Sequence, residues 1–248
     1  MKISLRLSSI FILFIFSLAC VRQSGQKSAT SKNHTTPSYI DKNERVNQVA
    51  KSSNEVHKSN TSKKLTGTEI FSKYNEAVFM VFTSDGQVVY QGSGFFVTGS
   101  GIGVSNYHVF DGTTIGFEVI KLVNKKTYKI KEILAKSRED DYIIFQVESH
   151  GTKFNYIPIE FSVPQVGEKV YAIGSPRGLE NTFSSGEISQ VRKNNLIQIS
   201  VPIDHGSSGG ALINEQGYVI GITTGGYDDS AASLNFAIDI NVLVPYFN

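Results

Sequence analysis

From Gly67 onward, short apolar, β-branched and aromatic runs recur at close spacing, each cut by glycine, asparagine or aspartate turns. Ala77–Thr83 is an apolar run ended by Ser84-Asp85-Gly86, and Gln87–Gln91 and Gly92–Thr98 read as the second and third strands. Further strands are expected at Ile115–Ile120, Thr127–Ala135, Tyr142–Val147, Lys169–Ile173, Phe183–Val191, Leu196–Val201, Tyr218–Thr223 and Leu234–Ile238. Such a pattern specifies an all-β sandwich or barrel. The length from 67 to 248, about 180 residues, is too large for one small barrel and suits two packed together. The expected division is a first barrel over about 77–150 and a second over about 151–238. A brief helix over Glu69–Glu76 precedes the strands, and Asp239–Phe247 reads as a short C-terminal helix with Asp239 as its N-cap.

The 248-residue chain has a formal net charge of +2, and that value hides a split. Residues 21–66 hold nine Lys/Arg and three Asp/Glu, whereas 67–248 hold 13 and 19. The β region is therefore mildly acidic, which excludes nucleic acid as the expected partner. Residues 21–66 are rich in Ser, Thr, Asn, Gln and Lys and contain one aromatic, Tyr39. They cannot bury enough apolar surface to offset chain entropy and read as a disordered tether, with a root-mean-square span of roughly 35–40 Å. Met1–Cys20 has the form of an export signal: Lys2 and Arg6, a short apolar run Ile10–Phe16, then small residues. Its apolar run is too short to span a bilayer comfortably. Cys20 is the only cysteine, so no intramolecular disulfide forms. Its setting after Ser17-Leu18-Ala19 resembles a lipoprotein cleavage box, which makes a lipid on Cys20 the one expected membrane contact.

Chemistry concentrates in Ile203-Asp-His-Gly-Ser-Ser-Gly-Gly-Ala-Leu212, where Gly206, Gly209 and Gly210 crowd Ser208. A loop of this kind can turn successive N–H groups into one concavity and hold a hydroxyl at its rim. Upstream, His108 follows the small-residue strand around Gly103-Val-Ser105. Asp141 opens Asp141-Tyr-Ile-Ile-Phe-Gln-Val147, whose unbroken apolar run implies burial on both faces. A carboxylate at the mouth of a buried strand needs a hydrogen-bond partner, and an imidazole N–H is a natural one. His108 would then be held in one tautomer, its other nitrogen free to serve Ser208 as general base. No metal-ligand or phosphate-loop pattern is present, and no cofactor is expected.

These stretches resemble the trypsin/chymotrypsin-fold serine proteases of the bacterial HtrA type. The resemblance is carried by Gly92-Ser-Gly-Phe95, Ser105-Asn-Tyr-His-Val109, Asp141-Tyr-Ile-Ile144, Ala172-Ile-Gly-Ser-Pro-Arg-Gly-Leu179, Ser185-Gly-Glu-Ile-Ser189, Gly206-Ser-Ser-Gly-Gly-Ala-Leu212, Val219-Ile-Gly-Ile-Thr-Thr224 and Asn235-Phe-Ala-Ile238. It implies two six-stranded antiparallel barrels, with Ser208 as nucleophile, His108 as general acid/base and Asp141 as orienting carboxylate. The oxyanion hole would lie in the Gly206-Ser207-Ser208 turn, formed by the N–H groups of Gly206 and Ser208. Thr224 would support the aspartate. The strand edge Thr224-Gly225-Gly226 would pair with an extended peptide substrate. Pro202, Thr223, Thr224 and Asn235 would line the pocket for the residue before the cut. With no Asp or Glu at those positions, a small or medium uncharged side chain is expected there. The resemblance covers a protease domain alone, with no PDZ domain expected. The chain departs from the family at Ser207, where Asn or Asp is common, at His205, where proline is frequent, and at Ile143, where alanine is usual. Asp140 competes with Asp141 for the carboxylate role. The implied function is an exported serine endopeptidase; the alternative is a catalytically silent binding module on the same fold.

Overall fold

A computed structural model describes residues 63–247 other than 115 and 228–233. The expected signal, the Cys20 lipid site, the tether up to residue 62 and the start of the strand expected at Ile115 lie outside the described residues. Among the described residues, no helix is long and apolar enough to cross a membrane.

Helix α1 (Gly67–Tyr74) starts where Thr66 and Glu69 form a capping box: Glu69 N–H donates to Thr66 Oγ1 and Thr66 N–H to Glu69 Oε2. It buries Ile70 and Tyr74 and runs into a 3₁₀ turn, Asn75–Ala77. Six strands follow: β1 (Val78–Ser84), β2 (Val89–Phe96), β3 (Ile102–Ser105), β4 (Val119–Leu122), β5 (Thr127–Ser137) and β6 (Tyr142–Val147). They close a first antiparallel barrel in the order β1-β2-β3-β6-β5-β4. Then β7 (Lys169–Gly174), β8 (Thr182–Val191), β9 (Leu196–Ile199), β10 (Ala211–Asn214), β11 (Val219–Tyr227) and β12 (Leu234–Asp239) close a second in the order β10-β11-β12-β9-β8-β7. The expected pair of six-stranded barrels is therefore present.

The alternation along each strand explains the double closure. In β6, Ile143, Phe145 and Val147 point into the first barrel with Phe79 and Phe96, while Tyr142 and Ile144 join a second core with Ile173 and Ala211 of the other barrel. An unbroken apolar run is needed because both faces are covered. The second barrel repeats the device, with Leu212 inward and Ala211 and Ile213 in the shared core. Ile143, at 2% exposure, fills the first barrel.

Several boundaries differ from expectation. Gln87–Gln91 and Gly92–Thr98 are one strand, β2, whose ladder with β1 is unbroken from Ser84↔Val89 to Val78↔Phe95. Gly92 continues the strand and does not start a new one; the Val109 side chain closes on it, as the Phe79 ring does on Gly94. The fourth strand begins at Val119, because Thr114 N–H is tied to Ser84 O and a turn at Gly116 precedes it. Strand β3, Ile102–Ser105, is the small-residue strand expected before His108, whereas β10, four residues directly after Gly209-Gly210, was not expected as a separate element. The C-terminal segment is a 3₁₀ turn, Ile240–Leu243, capped by Asp239, followed by α2 (Val244–Phe247).

Candidate active site

His108 sits in a 3₁₀ turn, Tyr107–Val109, directly after β3. The turn is pinned on both sides of the histidine. Buried Asn106 donates from Nδ2 to Asp141 O at 2.9 Å, and Thr83 Oγ1 donates to Val109 O at 2.8 Å. The imidazole between them stays half-exposed, with its side chain at 49%.

Asp141 adopts a left-handed backbone, φ 52°, which Asp tolerates better than most residues. That turn brings its carboxylate back over the His108 turn. Oδ1 accepts the His108 backbone N–H at 2.9 Å, and Nδ1 of the ring lies 2.9 Å from Oδ2 and 3.1 Å from Oδ1. Thr224 Oγ1 donates to Oδ2 at 3.4 Å. With only acceptors facing it, Nδ1 is assigned the proton, which leaves the Nε2 lone pair available. Asp140 faces elsewhere: its carboxylate accepts from Asn195 Nδ2 at 2.9 Å, and its backbone N–H donates to Ser137 Oγ. Asp141 is therefore the aspartate that meets the histidine.

Ser208 lies in a turn held almost entirely by its backbone. Ser207 N–H donates to Asp204 O, Gly210 N–H to Ser207 O, and Gly209 N–H to Thr223 O. Ser207 O also receives Thr223 Oγ1 at 2.7 Å. From the first barrel, Ser93 N–H donates to Ser208 O at 2.8 Å and Ser93 Oγ to Gly206 O at 2.7 Å. Position 209 admits only glycine: φ is +90°, and a Cβ would lie 2.1 Å from Ser93 O. After these bonds, among the described residues, the N–H groups of Gly206 and Ser208 donate to no protein acceptor, whereas that of Ser207 is engaged. Two unengaged donors from alternate residues of one tight turn are what an oxyanion needs.

The serine loop and the histidine turn meet at Gly92, where a Cβ would stand 2.7 Å from the Val109 side chain and 3.2 Å from Ser208 O. Among the described residues, no hydrogen bond joins Ser208 Oγ to the imidazole. Such contacts commonly tighten only when substrate is bound.

A pocket of about 420 Å³ opens beside this loop, lined by Ala172, Gly174, Pro176, Arg177, Leu179, Thr182, Ser184, Pro202, Ile203, Asp204, Ser207 and Thr223. Of the residues expected to line a specificity pocket, Pro202 and Thr223 border it and Thr224 and Asn235 do not. Thr224 is turned to Asp141, and buried Asn235 donates from Nδ2 to Val201 O at 2.9 Å. Gly225 and Gly226 fall where the β11–β12 register slips between Thr224 and Tyr227, and β10 pairs with β11 only as far as Ile222. The strand edge from Thr224 is therefore open on that side. One acid, Asp204, does border the pocket, but Arg177 takes up its carboxylate with Nε at 2.7 Å and Nη2 at 3.3 Å. The Arg177 hydrogen bonds, then the His205 backbone N–H, hold the Asp204 carboxyl below the usual range.

Sequence reasoning did not single out Ser93, Ser175, Arg177 or Asn181, although the first three lie within stretches that carry the family resemblance. Ser175 N–H donates to Ser93 Oγ at 2.8 Å, and Ser175 Oγ donates to Asn181 Oδ1 at 3.2 Å. His205 is exposed at the rim of the serine loop, and His150 lies by Glu148, remote from the triad candidates. No cluster of His, Cys, Asp and Glu suited to a metal occurs among the described residues.

Residues 92–222 match the family described as Trypsin-like peptidase domain. Among curated proteins, the chain is 33% identical over 163 residues to "Protease Do-like 1, chloroplastic" of Arabidopsis thaliana, covering 61% of this chain and 36% of that protein. It is 32% identical over 183 residues to "Putative serine protease HhoA" of Synechocystis, covering 69% and 45%. A "Probable periplasmic serine endoprotease DegP-like" of Rhizobium meliloti is 32% identical over 159 residues, covering 60% and 31%. The chain thus spans less than half the length of these relatives. A solved serine endoprotease from Yersinia pestis shares the fold, with a TM-score of 0.65, 24% identity and coverage of 74% of this chain and 65% of that one. Since the family match takes in more than half of the chain and agrees with the paired barrels, the chain belongs to the trypsin-like peptidase domain family, with Do-like (HtrA) serine proteases as its relatives.

Proposed function

We propose that this protein is an exported serine endopeptidase that cleaves peptide bonds through an acyl-enzyme on Ser208. The observation that carries the reading is the His108–Asp141 pairing, which fixes Nδ1 on the carboxylate and leaves Nε2 as the base. Ser208 Oγ attacks the scissile carbonyl carbon and gives its proton to Nε2. The carbonyl oxygen becomes an oxyanion and accepts from the N–H groups of Gly206 and Ser208. Collapse expels the amine, which leaves with the proton from Nε2. Water then repeats the sequence on the ester and frees Ser208. Asp141 stabilises the imidazolium formed at each stage, and Thr224 steadies Asp141.

The open edge at Thr224-Gly225-Gly226 suits an extended peptide added as a strand. Neutralisation of Asp204 by Arg177 removes the one negative charge beside the pocket, so a small or medium uncharged residue before the cut is the preferred substrate. Export to the cell envelope is supported by the N-terminal signal pattern and by relatives named as periplasmic; a lipid on Cys20 would be the anchor. Cys20→Ser should release the protein from membrane fractions, and unchanged fractionation would discard the anchor.

The alternative, a silent binding module, is favoured by one observation: Ser208 Oγ has no hydrogen bond to the imidazole. Peptide turnover by Ser208→Ala, His108→Ala and the double variant decides between them. The protease reading predicts losses of about 10³-fold or more for each single variant and little further loss in the double. Equal turnover by wild type and folded Ser208→Ala would remove it.

A further inference from the structure

The oxyanion turn has an unusual support, and the inference drawn from it rests on the protease reading of the site. Among the described residues, the Ser207 hydroxyl makes no hydrogen bond. The 420 Å³ pocket lies against the same turn, bordered by Ala172, Gly174, Pro202, Ile203, Ser207 and Thr223. Beyond the backbone bonds already described, the turn is held at its N-terminal end by Arg177. The Arg177 backbone N–H donates to His205 O at 2.7 Å, and its guanidinium forks onto the Asp204 carboxylate. Arg177 itself is left-handed, φ 50°, so the turn Pro176–Gly178 points both groups at one target.

The stereochemistry is decisive. In a trans peptide, the C=O and the N–H that follows it lie in one plane and point in opposite directions. Holding His205 C=O on Arg177 therefore turns Gly206 N–H to the other side, away from the Pro176–Gly178 turn. A rotation of that peptide would exchange the two groups and put a carbonyl oxygen where the oxyanion must sit. We propose that Arg177 is a positioning residue: by clamping Asp204 and His205 O, it keeps the His205–Gly206 peptide in the orientation that offers Gly206 N–H to the transition state. Gly206 O, held by Ser93 Oγ, fixes the far side of the same residue.

The test compares wild type, Arg177→Ala, Arg177→Lys and Asp204→Asn. Ala and Lys keep the backbone N–H and the same left-handed strain, so only the fork is removed or weakened. With a short peptide substrate, Arg177→Ala and Asp204→Asn should lower kcat about tenfold with KM nearly unchanged, a part of the ~10²–10³ lost with a whole oxyanion donor. Arg177→Lys should fall between, since an ammonium keeps the charge without the fork. The thermal midpoint should hardly move, because an exposed pair carries little folding stability. Independently of activity, amide hydrogen exchange over residues 203–212 should quicken in Arg177→Ala and stay unchanged elsewhere. Wild-type kcat together with unchanged exchange in both Arg177→Ala and Asp204→Asn would overturn the proposal, as would a KM effect alone. If wild type itself neither turns over peptide nor reacts at Ser208, the protease reading falls, and the exchange result still decides whether Arg177 clamps the turn.

Discussion

Asp141 is the residue at which backbone and chemistry are most tightly joined: its left-handed φ of 52° is what lets one carboxylate take both the His108 N–H and the ring nitrogen. Asn tolerates the same backbone but offers only one acceptor oxygen, so Asp141→Asn keeps the fold and loses control of the tautomer. Turnover should fall by about 10⁴-fold, measured as kcat, with the circular dichroism spectrum unchanged. A fall of less than tenfold would mean that the imidazole does not depend on Asp141. Gly209→Ala tests the loop in the opposite way. Its Cβ would sit 2.1 Å from Ser93 O at a φ of +90°, so the variant should lose about 2 kcal/mol or more of stability in urea unfolding. The meeting of His108 with Asp141 was legible because histidine and aspartate beside strand ends each suggest a chemical role, as the glycine-flanked Ser208 does. The choice of Asp141 over Asp140 needed only its place against a strand. Arg177 and Asp204 were not legible as a pair, since an ion pair across 27 residues leaves no local pattern.

Among the elements, the turn from Ser175 to Asn181 does the most to join the parts of the site. Asn181 is 8% exposed and donates from Nδ2 to Asn75 Oδ1 at 2.9 Å and to Val78 O at 3.2 Å, which ties this turn to the end of α1 and the start of β1. Its Oδ1 receives Ser175 Oγ, and Ser175 N–H continues the chain to Ser93 and so to Gly206. Asn181→Ala leaves buried acceptors unpaired and should lower unfolding free energy by about 1–3 kcal/mol. A loss below ~0.5 kcal/mol in denaturant titration would show that the link is dispensable. The strands themselves were readable wherever burial dictates composition, as in β6, where both faces are covered. One strand was read as two, split between Gln91 and Gly92, where the glycine serves close approach within β2.

At the scale of the molecule, the two barrels share one apolar core and meet polar group to polar group at the site, so loop positions follow from barrel closure. The pairing of barrels could be anticipated from strand number and length, but which polar side chains cross the seam could not. Acid sensitivity belongs to this scale. The carboxyls of Glu69, Asp85, Glu180 and Asp204 are held low, by the Thr66 backbone N–H, the Val88 and Gln87 N–H groups, Lys125 and Arg177 respectively. A depressed carboxyl adds stability above its unfolded pKa and loses it as pH falls through the folded one. Asp239, pushed up by burial, works with the opposite sign and regains stability on acidification. The four lowered carboxyls are exposed and screened by solvent, so the thermal midpoint should hold near neutral pH and fall only modestly below about pH 4; an unchanged midpoint down to about pH 2 would contradict any contribution from them. The central claim, that His108 and Asp141 activate Ser208, is tested most directly by mass spectrometry of the protein treated with a fluorophosphonate. The account predicts a single adduct on Ser208 in wild type, absent from Ser208→Ala and nearly absent from His108→Ala. A folded wild type that stays unlabelled, or one labelled equally in His108→Ala, would contradict it.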